Sequence, residues 1–360
     1  MIKKISIFIF LFSLLLPFGL RAETEAVSDD NKPENKDVSA SVVEHIMNHV
    51  ADANEYHIIT INKKPIVCPL PCILYRTKTG KKTILLSSAF QNEKEIDGYK
   101  LNEETGRIVD AETGKRDTFI DFSITKNVFH MMLSFLILAF IFVTMKNAYI
   151  KRKNQAPKGI QSFLEPVIVF LIDEIFKPIL GDKYEKFLPY LLSVFFFILV
   201  NNLLGLIPFF PGGANASGNI AFTFVLAFCS FVLININGTK TYWKHIFAMP
   251  DVPLPILIIL TPIEVLGIFL KPAVLMLRLF GNITGGHIAV LSIASLIFIL
   301  GENGAKLGGA FAGGAMALPI ILFVSAIELL VAFLQAFVFT LLSSIFISMA
   351  IEEPHKAEHH

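Results

Sequence analysis

Two hydrophobic stretches near the C-terminus are too long to be ordinary membrane-crossing helices. They are Pro253–Leu300 and Ala315–Ala350, of 48 and 36 residues respectively, and the glycine-rich segment Gly301–Gly314 separates them. A helix perpendicular to the bilayer needs only about 20 apolar residues. Helices of this length must tilt strongly or lie partly along the membrane plane. We therefore expect a hairpin of two long tilted helices.

The composition agrees with an integral membrane protein. Hydrophobic residues make up 54% of the chain and charged residues 17%, whereas an ordinary soluble domain has roughly 25% charged residues. The charges concentrate in residues 23–127. A net charge of +1 leaves no basic surface for phosphate groups, so nucleic acid is not an expected partner. We expect an all-α polytopic membrane domain, residues 128–351, after a small β-rich exported N-terminal domain.

Three more crossings are predicted before the long hairpin. The apolar run Val128–Met145 is just long enough to span the bilayer. A charge-free segment predicts a hairpin of two spans, about Phe187–Phe209 and Asn219–Asn235, around turn-forming residues. Gly159–Gly181 alternates apolar and charged residues at helical spacing, which is typical of an amphipathic helix at the interface. The sequence thus predicts about five membrane-crossing helices plus one amphipathic helix.

The ends of the chain predict its orientation. Residues 1–22 have a basic start, an apolar middle and a small residue before an acidic one, the pattern of a signal peptide; an uncleaved anchor is the alternative. Residues 23–127 are then exported. The basic residues within 146–158 have no acidic neighbour, which favours the cytoplasmic side. We expect a multi-pass protein of the bacterial inner membrane, with a periplasmic N-terminal domain and a cytoplasmic tail, residues 352–360.

The expected exported domain has a disordered start, a short helix at Ser41–Ala53 and a set of strands. The predicted strands are Tyr56–Ile61, Ile73–Arg76, Thr83–Leu86 and Thr118–Ile124. Cys68 and Cys72 form either a disulfide or two free thiols, and the sequence leaves both open. Their spacing is a weak signal for a metal, and we expect neither a metal nor a cofactor.

Ionisable residues inside the long apolar stretches require an explanation. Each costs at least about 2.5–3.5 kcal/mol on insertion scales, and snorkelling accounts for such residues only near helix ends. Arg278 lies 25 residues into its stretch. Spacings of seven and four residues put the polar groups on one face of each helix: Glu264, Lys271, Arg278 and Asn282 on the first, and Glu328 and Gln335 on the second. Two such polar stripes on neighbouring helices favour a water-filled or proton-conducting path lined by these residues over pairs of residues with a purely structural role.

Three motifs in this region resemble those of one known family. Leu-Arg-Leu-Phe-Gly-Asn at Leu277–Asn282, followed by Gly286-His287, resembles the arginine motif of the a subunit of F-type ATP synthases. The segment Glu328–Thr340 resembles that family's last helix, and Asn202–Pro208 resembles its earlier hairpin. The resemblance covers about residues 128–351.

The resemblance implies a proton-conducting stator subunit. Such a subunit lies against a ring of c subunits, is held by the b-subunit peripheral stalk, and works with the other ATP synthase subunits. Two offset half-channels lead protons to and from the ring carboxylates, which couples proton flow to rotation and ATP synthesis. Arg278 matches the family's arginine. As a permanent cation it favours the ionised form of a facing carboxyl and repels a hydronium ion that would cross directly between the half-channels.

The other polar residues are expected to form the proton path. His287 and Glu328 resemble the family's histidine–carboxyl pair on the uptake side, and histidine titrates near neutrality. Asn282 and Gln335 match family positions that line this route. Glu264 suits the exit half-channel on the cytoplasmic side. Whether the coupling ion is H⁺ or Na⁺ is left open, because the ligands of the c-ring decide it.

Two other functions compete with this interpretation. An ion-coupled secondary transporter with a mid-membrane polar site would have an internal repeat with paired broken helices, and none is apparent between the two halves of the membrane domain. A binding module on a membrane anchor does not explain polar groups at helical spacing. Nothing matches the phosphate-binding loop G-x-x-x-x-G-K-[ST], so the chain has no nucleotide site with which to make or hydrolyse ATP alone.

Overall fold

A computed structural model of the chain describes residues 52–352, apart from 62–63, 78, 91–94, 103–105, 117, 152–154, 208–209, 248, 250–251 and 302–305. The predicted signal peptide, the disordered start, nearly all of the predicted helix at Ser41–Ala53 and all but the first residue of the cytoplasmic tail lie outside the described residues.

The first part of the described chain is built from short antiparallel strands. They are β1 (Glu55–Ile61), β2 (Lys64–Pro69), β3 (Pro71–Arg76), β4 (Lys82–Leu86), β5 (Tyr99–Asn102), β6 (Arg107–Asp110) and β7 (Phe119–Asp121). β1 pairs with β2, β5 pairs with β6, and β3 is the central strand of a sheet with the order β4-β3-β7. These strands overlap all four segments predicted as strands. A short 3₁₀ turn, Ser87–Phe90, follows β4.

A small apolar core holds these strands together. Leu74 of β3, Phe90, Tyr99 of β5 and Ile108 of β6 are all almost fully buried in one cluster, and alternate positions of β3 supply it, as expected of a strand with one covered face. The two cysteines are free thiols in this structure, with the Cys72 Sγ 3.5 Å from the Leu70 carbonyl oxygen. Of the two alternatives, the structure therefore describes the free thiols and not the disulfide.

Asp110, at the end of β6, is a buried carboxylate that its neighbours satisfy. It is 5% exposed and accepts hydrogen bonds from the Thr118 hydroxyl at 2.8 Å and from the backbone N–H groups of Glu112 at 3.0 Å and Thr113 at 3.3 Å. Arg76 adds an ion pair at 3.4 Å. These hydrogen bonds, led by the Thr118 hydroxyl, hold the pKa of Asp110 below its usual value.

The rest of the chain is helical. The helices are α1 (Lys126–Lys151), α2 (Ile160–Phe170), α3 (Lys177–Leu180), α4 (Tyr184–Gly205), α5 (Ile220–Ile236), α6 (Lys240–Phe247), α7 (Leu254–Leu300) and α8 (Leu307–Ile351). A π-helical segment, Leu171–Phe176, joins α2 to α3, and a 3₁₀ turn, Gly181–Lys183, joins α3 to α4. Among the described residues, four continuous helical segments are long and apolar enough to cross a membrane, or five if α5 and α6, bent by 103°, count as one span. The chain is thus a polytopic, mostly helical membrane protein, as predicted.

The segment predicted as amphipathic, Gly159–Gly181, is helical over almost its whole length. Its charged residues Asp173 and Lys177 are exposed and form an ion pair at 2.5 Å. Leu171 and Ile175 are buried, whereas Phe163 is 77% exposed. The second half therefore has one covered apolar face, while the first half presents an apolar side chain outward.

Helix α4 lies at the centre of the helical part. Its side chains from Phe187 to Ile198 are all buried, because α1 and α8 pack against it. A helix that is apolar all round is expected in this central position. It holds the polar residues near its end, Asn201 and Asn202, in the interior.

Helices α7 and α8 are the two longest helices of the described chain, and they pack against each other. Their 47 and 45 residues correspond to roughly 70 Å each at 1.5 Å per residue, more than twice the hydrocarbon thickness of about 30 Å. One boundary differs from the expectation, since α8 begins at Leu307, inside the glycine-rich segment predicted to separate the helices. A Cβ on Gly313 would come within 3.1 Å of the Ile297 Cα, so the glycines let the start of α8 pack directly on the end of α7.

Candidate functional site

Arg278 lies on an outward face of α7, about midway along the helix. It is exposed, and its neighbours Leu277 and Val274 are 54% and 48% exposed. Within the part of the chain that the structure describes, Arg278 has no carboxylate within 4.0 Å. The helix therefore presents an unpaired guanidinium group from an apolar surface.

A cavity next to this face brings together three of the residues predicted for the proton path. Asn282 and His287 reach it from α7, and Glu328 reaches it from α8. Its complete lining is Asn202, Leu206, Asn282, Ile283, His287, Glu328 and Val331. The histidine and the carboxyl thus line one small cavity, although they are 41 positions apart in the chain.

Two glycines allow the backbones to approach these side chains closely. A Cβ on Gly286 would lie 2.5 Å from the Glu328 Oε1 and 3.2 Å from its Cγ, so the carboxyl rests directly against the backbone of α7. A Cβ on Gly205, near the end of α4, would lie 3.9 Å from the His287 Nε2. The Glu328 carboxyl therefore leaves no room for a Cβ on Gly286, whereas the distance between Gly205 and His287 is that of an ordinary contact.

Asn202 joins the cavity to the rest of the fold. Its Nδ2 donates to the Ala332 carbonyl of α8 at 3.1 Å, and its Oδ1 accepts from the Ser217 hydroxyl at 2.6 Å. The Ala332 carbonyl belongs to the turn of α8 that follows Glu328. Asn202 therefore connects α4, α8 and the α4–α5 loop (residues 206–219) beside the same cavity.

The other predicted residues lie outside the cavity lining. Gln335 is buried, 7% exposed, two turns beyond Glu328 on α8. Glu264 is half-buried on α7, and its 23-residue separation from His287 amounts to roughly 34 Å along the helix axis. Lys271, between Glu264 and Arg278, places its Nζ 5.6 Å from the centre of the Phe346 ring. The polar stripe of α7 thus extends well beyond the cavity.

A second buried polar group was not singled out from the sequence. His130 of α1 is fully buried, with its Nε2 3.3 Å from the Asn201 carbonyl oxygen. The Ser134 hydroxyl donates to the Asn201 Oδ1 at 3.1 Å. Among the described residues, the His130 Nδ1 has no hydrogen-bond partner. Two features of the sequence could have indicated this group. One is a histidine near the start of the apolar run Val128–Met145, and the other is the pair Asn201 and Asn202 in a charge-free span.

Fold and site together define a class of protein. The chain is an integral membrane protein in which ionisable groups lie between and along overlong helices, an arrangement that suits the conduction of ions across a bilayer. A family model described as ATP synthase A chain matches residues 128–348. The chain therefore belongs to the ATP synthase A chain family. A second model, described only as a domain of unknown function, matches residues 45–127.

Curated relatives agree with this assignment. The chain is 44% identical over 237 residues to ATP synthase subunit a 2 of Chlorobaculum tepidum, covering 64% of each chain. It is 38% identical over 273 residues to ATP synthase subunit a of Chloroherpeton thalassium, covering 74% of this chain and 78% of that one. For ATP synthase subunit a of Pelodictyon phaeoclathratiforme the identity is 39% over 246 residues, or 67% and 69% of the two chains. The resemblance drawn from the motifs is confirmed, and with it the predicted function of an ATP synthase a subunit; a secondary transporter is not favoured.

Proposed function

We propose that this chain is the proton-conducting stator subunit of an F-type ATP synthase, and that Arg278 is the charge that faces the carboxylates of the c-ring. The observation that carries this proposal is the outward-facing guanidinium on α7, which has no carboxylate partner in the described part of its own chain. An unpaired charge in a membrane-spanning helix is costly. A carboxylate of a neighbouring c subunit, passing over the exposed surface around Leu277, would supply the missing partner.

The cavity supports a role for His287 and Glu328 in proton uptake. Both can bind and release a proton, and both face the space that Asn202 and Asn282 line. We infer that a proton passes between water, the histidine and the carboxyl in this cavity on its way to the ring. Gln335, on the same face of α8 as Glu328, continues this route.

Glu264 suits the exit half-channel. It shares the polar stripe of α7 with Arg278, and roughly 21 Å of helix separates the two residues at 1.5 Å per residue. The two half-channels would then open at different positions along α7. A proton could travel from one to the other only on a c-ring carboxyl that moves past Arg278.

The orientation that fits this mechanism has residues 23–127 in the periplasm and the C-terminus in the cytoplasm. The basic residues after α1 favour the cytoplasmic side for that end of the helix. The two family models meet at residues 127 and 128, which supports a separate domain before the membrane domain. The c-ring, the b-subunit stalk and the other synthase subunits are the proposed partners.

The orientation can be tested by thiol labelling. Lys115 is exposed on the strand-rich part, so a Lys115→Cys variant without the three natural cysteines should react with a membrane-impermeant reagent in spheroplasts. The matched control is Lys158→Cys, in the expected cytoplasmic segment, which should react only after lysis. The opposite pattern would overturn the orientation and the assignment of the two half-channels.

The proposed function is tested by Arg278→Ala in the assembled synthase. Removing the charge should abolish ATP-driven acidification of inverted membrane vesicles and ATP synthesis, because the ring carboxyl loses its partner and a hydronium ion is no longer repelled. Arg278→Lys should also fail to support synthesis, since a titratable ammonium does not replace a permanent planar cation. The matched control is Lys271→Ala, which removes the neighbouring cation of the same stripe and should keep coupled pumping. Normal coupled pumping by Arg278→Ala at equal assembly would refute the proposal.

A further inference from the structure

The strand-rich N-terminal part contacts the membrane helices through a buried tyrosine. Tyr56 of β1 is 3% exposed, and its hydroxyl donates a hydrogen bond to the carbonyl oxygen of Gly212 in the α4–α5 loop. Its ring meets the edges of two phenylalanine rings, Phe129 of α1 at 6.1 Å and Phe210 of the loop at 5.3 Å. Burial raises the pKa of Tyr56 to about 12, so the hydroxyl keeps its proton near neutral pH.

The loop that Tyr56 holds continues directly into the cavity. The Ser217 hydroxyl donates to Asn202, which lines the cavity. The Gly218 carbonyl accepts a 3.4 Å hydrogen bond from Thr284 of α7, one turn before His287. Ala214 and Ser217 are both buried. The loop is therefore packed between the N-terminal strands on one side and the proton-binding residues on the other.

The described residues 212–214 of the loop pack closely against the end of α4 and the start of the loop. The Gly213 N–H donates to the Leu204 carbonyl at 3.3 Å. A Cβ on Gly212 would approach the Ile207 Cβ within 2.5 Å and the Leu204 carbonyl oxygen within 2.6 Å. The Ala214 carbonyl oxygen lies 3.2 Å from the position of a Cβ on Gly205. Because of these contacts, we expect a shift at the Tyr56 contact to reach the end of α4.

We propose that Tyr56 is a positioning residue for proton uptake: by holding the Gly212 carbonyl it fixes the α4–α5 loop, and through that loop it fixes Asn202, which lines the His287–Glu328 cavity, and Thr284, one turn before His287. This inference rests on the proposed function of the chain as the proton-conducting subunit. It gives the N-terminal part a role that the membrane helices do not explain. Through this contact, the N-terminal part would hold the loop beside the uptake cavity in position.

The Tyr56→Phe variant separates this role from simple packing, because it keeps the ring and removes only the hydroxyl. The assay is ATP synthesis by the whole synthase in proteoliposomes at fixed membrane potential, as a function of proton concentration on the side of the N-terminal part. We expect the proton concentration for half-maximal synthesis to rise about 3- to 10-fold, the change that one net hydrogen bond can produce. The maximal rate per assembled complex should stay within about twofold of the wild-type rate, since the hydroxyl does not touch the transferred proton.

The matched control is Tyr99→Phe. Tyr99 is 1% exposed in the core of the same strand-rich part, against the Phe119 ring and away from the loop, and its variant should keep the wild-type half-maximal concentration. A Tyr56→Phe synthase with a wild-type half-maximal concentration would overturn the inference, even if its maximal rate fell with assembly. If the wild-type complex itself showed no proton-dependent ATP synthesis, the proposed function would be refuted instead.

A second measurement does not depend on an assembled synthase. Ser217→Cys introduces a thiol at a buried loop position, and its reaction with a small impermeant reagent reports the opening of the loop. In membranes that contain the chain, we expect the Ser217→Cys thiol to react several-fold faster in a Tyr56→Phe background than in a Tyr99→Phe background. Equal rates in the two backgrounds would contradict the proposed contact.

Discussion

The contact between Gly286 and Glu328 gives a sharp test of how the uptake residues are held. In a Gly286→Ala variant the new Cβ would lie 2.5 Å from the Glu328 Oε1, whereas ordinary contact begins at 3.4 Å. The carboxyl oxygen must therefore retreat by about 0.9 Å, and the Cγ, at 3.2 Å from the new carbon, must give by a few tenths of an ångström. Because the carboxyl and His287 line the same cavity, we expect this movement to change the geometry of proton transfer.

We expect Gly286→Ala to reduce proton pumping about 10- to 100-fold, since a misplacement of about 1 Å in a reacting group can cost on the order of 100-fold in rate. The stability of the helix should not fall, because alanine is favoured over glycine in a helix by about 1 kcal/mol. The measurement is ATP-driven acidification of inverted vesicles at matched assembly of the synthase.

Gly285→Ala is the control that isolates the contact. The same change on the neighbouring residue gives the same gain in helix propensity, but its Cβ would meet nothing within 4 Å in this chain. Gly285→Ala should pump at close to the wild-type rate. If both variants pumped equally well, the position of the Glu328 carboxyl on the α7 backbone would not matter, and the assignment of this cavity as the uptake site would fail.

Two further predictions concern the histidine–carboxyl pair and the strand-rich part. Replacing either His287 or Glu328 by leucine should cut proton pumping at least about tenfold. The double exchange His287→Glu with Glu328→His should retain more proton flux than either single variant. A double variant no better than the worse single one would remove the case for a coupled pair. Because the folded-state pKa of Asp110 is lowered, its contribution to stability is present above its usual pKa of 3.8 and is lost as the pH falls through the lower folded-state value. Hydrogen exchange in the full chain should therefore show the strands losing protection below about pH 4. The loss should be smaller in Asp110→Asn than in the exposed control Glu112→Gln. Equal losses in the two variants would contradict the argument.

The long helices were the most predictable part of the fold. A charge-poor run from Pro253 to Leu300 can satisfy its backbone groups in a membrane only as a helix, and α7 begins and ends within one residue of that run. The start of α8 was less predictable, because glycine has a low helix propensity. Close packing of Gly309 and Gly313 on the end of α7 outweighs that propensity, and this contact depends on the tertiary structure.

The candidate site was predictable in its ionisable members and not in its supporting ones. His287 and Glu328 stand out because charge is costly in an apolar stretch. Asn202 and Gly286 carry no such signal, since an amide and a glycine are common in helices of this kind. Their roles follow from which helices meet, and no spacing rule connects Asn202 of α4 to Ala332 of α8, 130 positions later.

The hydrogen bond between Tyr56 and Gly212 also constrains the order of events during synthesis of the chain. The two residues are 156 positions apart, and translation at about 5–20 residues per second needs about 8 to 30 s to cover that distance. During this interval the N-terminal strands have emerged without the surface that covers Tyr56, Leu70 and the neighbouring apolar side chains. Docking must wait until the α4–α5 hairpin has inserted and its loop has reached the same side of the membrane. The N-terminal strands are therefore made well before the loop that covers Tyr56, and this contact forms only after both have been made.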